Sequence, residues 1–436
     1  MTDKPSETDG RAVRLTRRGV LAVAGAGAIA GCSSLNSLGG SDTPTIDSYD
    51  LPDIQRDDER EPPVPPTVPV EIAAEHFDTV RERVRSLLAT LPTTLGADEI
   101  PNGHIRQRLT DAASDASDGL DSARTARTGL VALRSLRRAR ERARYAAAGW
   151  GVADRGLAAA KLRTEYARTV SAARSARQDH EYLGTDPVRA ALVHARIEAR
   201  LERAGKTEIT PSEDSALLSV AEWGETAESA QAYLSDARHM QTQFTASLPA
   251  DAGMVTPELT DAAETLLADV RDRQAKLPPE PTADDRTPER IVSADIRRDA
   301  ESGVSRISDA IGPANAVIDA HNRLARFQAL EHIQKRREAG ELTRPVDAKS
   351  VCNIRRTAYD VLTGTLESSS HPELVRTVLV DASYQVMAAD RELTHHRGEI
   401  PAAHLDSSIA GYWHATALAR AAPVAADQTV SVLRYE

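Results

Sequence analysis

Cysteine is nearly absent: the chain holds two, Cys32 and Cys352, in 436 residues. That excludes a disulfide-built scaffold and a structural zinc site made from cysteine pairs. Lysine is scarce as well, with six residues against 54 basic residues in total, so the positive charge is almost all arginine. Aromatic residues make up 3% of the chain, and valine and isoleucine are sparse, which argues against a strand-rich fold. No apolar run reaches the roughly 20 residues needed to cross a bilayer. Signature loops of phosphate chemistry are missing too: there is no G-x-x-x-x-G-K-[ST] and no G-x-G-x-x-G after a strand. Neither a G-x-S-x-G elbow nor an H-E-x-x-H helix occurs. These absences leave no catalytic motif to read.

What is present begins with an address. Arg14 to Gly40 reads RLTRRGVLAVAGAGAIAGCSSLNSLGG: a basic segment, a short apolar run from Val20 to Ala30, and small residues before Cys32. The run is too short to span a membrane, and Gly19, Gly25 and Gly27 weaken it as a helix. An export signal has this order of parts. Thr16-Arg17-Arg18-Gly19-Val20-Leu21 resembles a twin-arginine (Tat) signal, and Ile29-Ala30-Gly31-Cys32 resembles a lipobox. The resemblance is to the Tat-exported lipoproteins of halophilic archaea and covers only this region. It implies that Arg17 and Arg18 are read by the export receptor. It implies too that residues 1–31 are removed and Cys32 becomes a lipidated N-terminus on the extracellular face of the cell membrane. A formal charge of −11 with few lysines suits a surface that stays hydrated in strong salt. Residues 32–69 are rich in Ser, Gly, Asp and Pro, ending in REPPVPPTVPVE, and read as a disordered linker. With Cys32 lipidated, Cys352 has no partner, and its helix-like setting reads as a small buried hydrophobe.

The body is rich in Ala, Arg, Glu and Leu, with apolar residues at helical spacing, as at Ile105, Leu109, Ala112 and Ala116. Helix-start signals recur at Thr185-Asp-Pro, Thr256-Pro-Glu, Thr287-Pro-Glu and Ser370-His-Pro. The expected fold is all-α, built of long antiparallel helix bundles. His104 to Ala148 reads as one helix of about 65 Å at 1.5 Å per residue. Gly149-Trp150-Gly151 is its expected corner, and Gly312-Pro313 an expected break. The helix carrying Trp413 is expected to stop before Pro423, leaving QTVSVLRYE as the one strand-like segment.

Short matches recur in the same order at nearly constant spacing. Leu91-Pro92 returns as Leu277-Pro278, 186 residues on; Val188-Arg189-x-x-Leu192-Val193-x-Ala195 as Val375-Arg376-x-x-Leu379-Val380-x-Ala382, 187 on. Trp223-x-x-Thr226-Ala227 returns as Trp413-x-x-Thr416-Ala417, 190 on, and Arg163-Thr164-x-Tyr166 as Arg356-Thr357-x-Tyr359, 193 on. Two copies of one helical unit, 70–250 and 251–436, account for these offsets. Trp223 is then expected to match Trp413, Tyr166 to match Tyr359, and Val188 to match Val375.

Candidate chemistry is thin. His371, His395, His396, His404 and His414 cluster near the end with Glu399 and Asp406, a mixture suited to Zn, Fe or Cu. The first copy has Asp186 and Gly224 where His371 and His414 stand, and Gly398 and Pro401 mark a loop, so exposed loop histidines are the simpler expectation. The basic run Arg134 to Trp150 is a candidate for an anionic partner, or a face paired within the fold. Nucleic acid is not an expected partner outside the cell in high salt. The sequence therefore leads to a lipid-anchored surface module that binds an envelope protein or anionic surface, without catalysis and without a cofactor. Two alternatives stand beside it: a metal-binding protein or metal-dependent enzyme using His395, His396, Glu399, His404 and His414, and a solute-binding lipoprotein with a cleft between the copies.

Overall fold

Helix propensity and amphipathic spacing decide the architecture of a computed structural model that describes residues 44–52, 61–206, 215–279 and 286–434. Six main helices form the first half: α1 (Ala74–Leu88), α2 (Gly103–Thr125), α3 (Gly129–Arg155), α4 (Ala159–Gln178), α5 (Pro187–Gly205) and α6 (Ala216–Ala246). The second half repeats the order with α7 (Thr256–Ala275), α8 (Pro288–Glu301) with the short α9 (Val304–Ser308), α10 (Pro313–Glu338), α11 (Ala348–Ser368), α12 (Pro372–Thr394) and α13 (Asp406–Leu433). The packing partners repeat too. In the first half α3 lies against α1, α2 and α6, and α6 also receives α4 and α5; in the second, α10 lies against α7, α8 and α13, and α13 also receives α11 and α12. The fold is all-α and tandem. Tyr166 and Tyr359 sit on α4 and α11, Val188 and Val375 on α5 and α12, Trp223 and Trp413 on α6 and α13.

Two-stranded pairings tie loops together: β1 (Thr45–Asp47) with β4 (Glu399–Pro401), and β2 (Leu183–Gly184) with β3 (Gly253–Met254). The halves share one core and pack into a single compact unit from Pro44 onward. Helix α5 lies against α10 across the junction, and Glu198 of α5 closes that contact by accepting the Asn315 amide at 2.6 Å and the Ala314 amide at 3.3 Å. A first-half carboxylate thus caps a second-half helix, where free N–H groups and the helix dipole favour an acceptor. Burial nevertheless pushes the Glu198 carboxyl up to about 7, against the three hydrogen bonds, one from Tyr182, that favour its charge.

Several expectations are corrected. The long helix from His104 breaks at Ala126–Thr128, where Thr128 caps α3 by accepting the Val131 amide and its hydroxyl also donates to the Pro66 carbonyl. Gly149-Trp150-Gly151 lies inside α3, and the corner falls at Gly156, whose φ of 64° favours glycine. Gly149 is needed for packing instead: a Cβ there would come within 2.5 Å of Leu109. Helix α13 runs through Pro423 to Leu433, so QTVSVLRYE is mostly helical. Proline costs a helix about 3 kcal/mol, but α13 is the central helix of its half, and burial of Ala421, Ala422, Ala425, Ala426, Thr429 and Val430 outweighs that loss. The linker 32–69 is partly ordered where it is described. Ile46 is buried in the β1–β4 pair, and Val64 is buried with its amide donating to Ser383 Oγ at 3.1 Å. Cys352 is half-buried, not fully so.

Candidate functional site

Arg17, Arg18 and Cys32 lie outside the described residues. Among those described, no helix is long and apolar enough to cross a membrane. The histidine cluster is divided by the fold. His414 is buried on α13, with Nε2 3.7 Å from Asp299, and burial holds it down at about 3. His371 faces Asp427 at 3.7 Å near the start of α12. His395, Glu399 and His404 are exposed around β4, with His396 half-buried beside them. Among the described residues no group of three or more His, Cys, Asp or Glu is arranged to hold a metal ion. The β4 loop has a structural task, since Ile400 pairs with Ile46 and both are buried.

The basic run on α3 is not a free cationic face. Arg140 and Arg83 both bind the buried Glu228, Arg137 meets Glu141 at 2.6 Å, Arg144 meets Glu165 at 2.8 Å, and Arg142 lies 3.5 Å from Asp115 and Glu225. Arg134 and Arg137 also line a cavity of about 420 Å³ at the junction of the halves.

That cavity is the candidate site. Its walls are built by α3, α5 and α6 from the first half and by α10 and α12 from the second, with Pro66 at its edge. Helical spacing explains the lining. Arg196, Ala199, Arg200 and Arg203 form one stripe on α5, Asn315, Ile318, Asp319 and Asn322 another on α10, and Thr377, Val380, Asp381 and Tyr384 a third on α12. Arg134 donates to the Tyr384 hydroxyl at 2.7 Å, joining the two halves across one side of the cavity. The proline-rich strap 61–73 runs alongside: Thr67 donates to Glu373 on α12, and the Pro69 carbonyl accepts from Arg189 on α5.

The lining charges are unequal in their compensation. Asp381 is bound by Arg326 at 2.5 Å, Asp236 by His76 at 2.9 Å, and Asp319 interacts electrostatically with Arg323. Arg200 donates only to the Arg196 carbonyl of its own helix, at 3.2 Å. Among the described residues neither Arg196 nor Arg200 has a carboxylate at ion-pair distance. Both are half-buried, and both line the cavity. Desolvation accordingly lowers both, Arg200 to about 10, with Asp381 and Asp236 offsetting only part of the effect. They remain cations at neutral pH. The α5 arginines are scattered among alanines, and their spacing at 196, 200 and 203 is the sequence signal that places them on one face.

The chain is thus a tandem of two helical domains around a shared junction. Residues 75–251 match the family described as Domain of unknown function (DUF8262), and residues 256–431 the family described as Domain of unknown function (DUF8264). No curated protein and no solved structure matches the chain.

Proposed function

We propose that this is a lipid-tethered surface protein that captures a small solute, without catalysis, in the cleft between its two halves. The cavity at the junction carries this reading, because it is built from both halves at once and lined by charged, polar and apolar side chains together. Its size falls in the roughly 300–1,000 Å³ range of small-molecule sites, too small for a macromolecule. The arginines, asparagines and threonine among its described lining residues are hydrogen-bonding groups suited to binding. The tether is read from Arg17, Arg18 and Cys32, with export through the Tat route and attachment by an acylated Cys32.

Two experiments test the reading. Ala199→Phe should fill the cavity, so a small molecule released by heating the wild-type protein, and identified by mass spectrometry, should be missing from the variant. Equal recovery from both proteins would reject the cleft as the binding site. For the tether, Cys32→Ala should release folded protein to the medium, and Arg17→Lys with Arg18→Lys should hold it in the cytoplasm. Cys32→Ala protein that stays with membranes after a high-salt wash would reject lipid anchoring.

A further inference from the structure

Building on the capture reading, we infer that the cavity takes a small organic anion bearing at least two carboxylate or phosphate groups, held by Arg196 and Arg200 of α5. Three observations carry this. The two guanidinium groups stand one helical turn apart on the same cavity face, where neighbouring side chains are about 5–6 Å apart at Cβ. Of the lining carboxylates, Asp381 pairs with Arg326, Asp236 meets His76 and Asp319 interacts with Arg323, whereas these two arginines have no carboxylate at ion-pair distance among the described residues. Arg203, which is exposed, and Arg134 of α3, bonded to the neutral Tyr384 hydroxyl, add further cations to the lining.

Physical chemistry gives the direction. A half-buried guanidinium whose nearest carboxylates lie beyond ion-pair distance is only partly compensated, and a ligand oxyanion completes that compensation while forming paired N–H···O bonds. One monovalent oxyanion satisfies one fork; two forks on one face call for two anionic groups. Asn315, Asn322 and Thr377 on the far wall add neutral donors and acceptors for hydroxyl or amide groups of the same ligand. The protein surface is acidic overall, so a cationic chamber inside it draws anions to one place.

The test uses the full folded body in chloride-free buffer at fixed ionic strength. Citrate, 3-phosphoglycerate, inorganic phosphate, chloride and glucose are titrated by calorimetry. At least one of the two polyvalent organic anions should bind with one-to-one stoichiometry, at least tenfold tighter than phosphate or chloride, and glucose should not bind. The Arg196→Gln/Arg200→Gln double variant should weaken that binding by about 100-fold or more, since a charge-assisted hydrogen bond accounts for roughly 10- to 100-fold each. Without ligand the double variant should melt at or above the wild-type temperature, and the polyvalent anion should raise only the wild-type melting point. A merely structural role for these arginines predicts the reverse, a lower melting point with unchanged affinity, and overturns the inference. Should the double variant not fold, Arg196→Gln alone carries the test with about a tenfold loss expected. Binding no tighter than chloride overturns it as well. A neutral molecule recovered from wild type and lost on Ala199→Phe would overturn the anion while leaving the capture reading intact.

Discussion

Helices α5 and α12 hold equivalent places in the two halves, yet they treat the junction differently. In the register set by Val188 and Val375, the α5 stripe Arg196, Arg200 and Arg203 corresponds to Ser383, Met387 and Asp390, 187 residues on. Ser383 accepts the Val64 amide of the strap, and Asp390 is taken up by Arg355, Tyr359 and Tyr412. None of these three lines the cavity; α12 turns Thr377, Val380, Asp381 and Tyr384 toward it instead. All five lining cations come from the first half and none from the second. Two halves with the same packing order thus present different inner polar faces. A cavity between unlike walls can bind an unsymmetrical ligand in one orientation.

The largest expected effect breaks a polar device on α6 that α13 lacks at the matching position. Glu228 is buried between Arg83 and Arg140, whereas Leu418, 190 residues on in the Trp223–Trp413 register, is apolar and buried. Glu228→Gln should leave two uncompensated arginines and cost about 3–5 kcal/mol in urea unfolding. Replacing Glu228, Arg83 and Arg140 together by Leu and Met should recover most of that loss, as the matching position in the second half is held by buried Leu418. If Glu228→Gln is neutral, the two halves are not held in the different ways described.

Acid should come next. Burial holds His321 at about 4 and His414 at about 3, both below the ordinary 6.5. The unfolded chain therefore binds protons between pH 6.5 and those values while the folded chain does not. Their contribution to stability is full above pH 6.5 and declines as pH falls, by about 2 kcal/mol per histidine between pH 6.5 and 5. Glu198 runs the other way: its raised pKa adds stability below its unfolded value of 4.5 and loses it as pH rises toward 7. His414→Phe should flatten the acid limb of the pH–stability curve, and Glu198→Gln should steepen it. An unchanged acid limb in both variants would refute the assignment.

Smaller effects sharpen the contrast in packing. A Cβ on Gly224 would lie 2.5 Å from the Ala148 Cβ, whereas one on Gly411 would lie 3.1 Å from the Ala389 Cβ. Gly224→Ala should cost about 2 kcal/mol and Gly411→Ala about 1 or less, read from thermal unfolding. Ser383→Ala, which removes the acceptor for the Val64 amide, should cost about 1 kcal/mol. It should also raise proteolysis within the strap 61–73, and no change would mean that this contact does not hold the strap.

Sequence periodicity carried the helices because alanine–leucine stripes encode one buried face. Spacing between distant matches carried the tandem order, because Trp223 and Trp413 or Tyr166 and Tyr359 keep their places on equivalent helices. Boundaries were harder. Thr128 caps α3 because it is a β-branched hydroxyl residue that also meets the strap, a partner more than 60 positions away in the chain. Pro423 sits inside α13 because tertiary burial outweighs its local cost. The linker composition suggested disorder, but Val64 and Ile46 find pockets that only the folded body supplies. The cavity was invisible for the same reason: Arg196 and Asn315 meet only once α5 packs on α10.

The most direct measurement is anomalous diffraction from crystals soaked in bromide, comparing wild type with Arg196→Gln/Arg200→Gln. The account predicts a strong anomalous peak inside the junction cavity against Arg196 and Arg200 in the wild type and none there in the variant. A wild-type cavity without bromide, while surface arginines are occupied, would contradict the claim that the first-half wall makes this cleft an anion receptor.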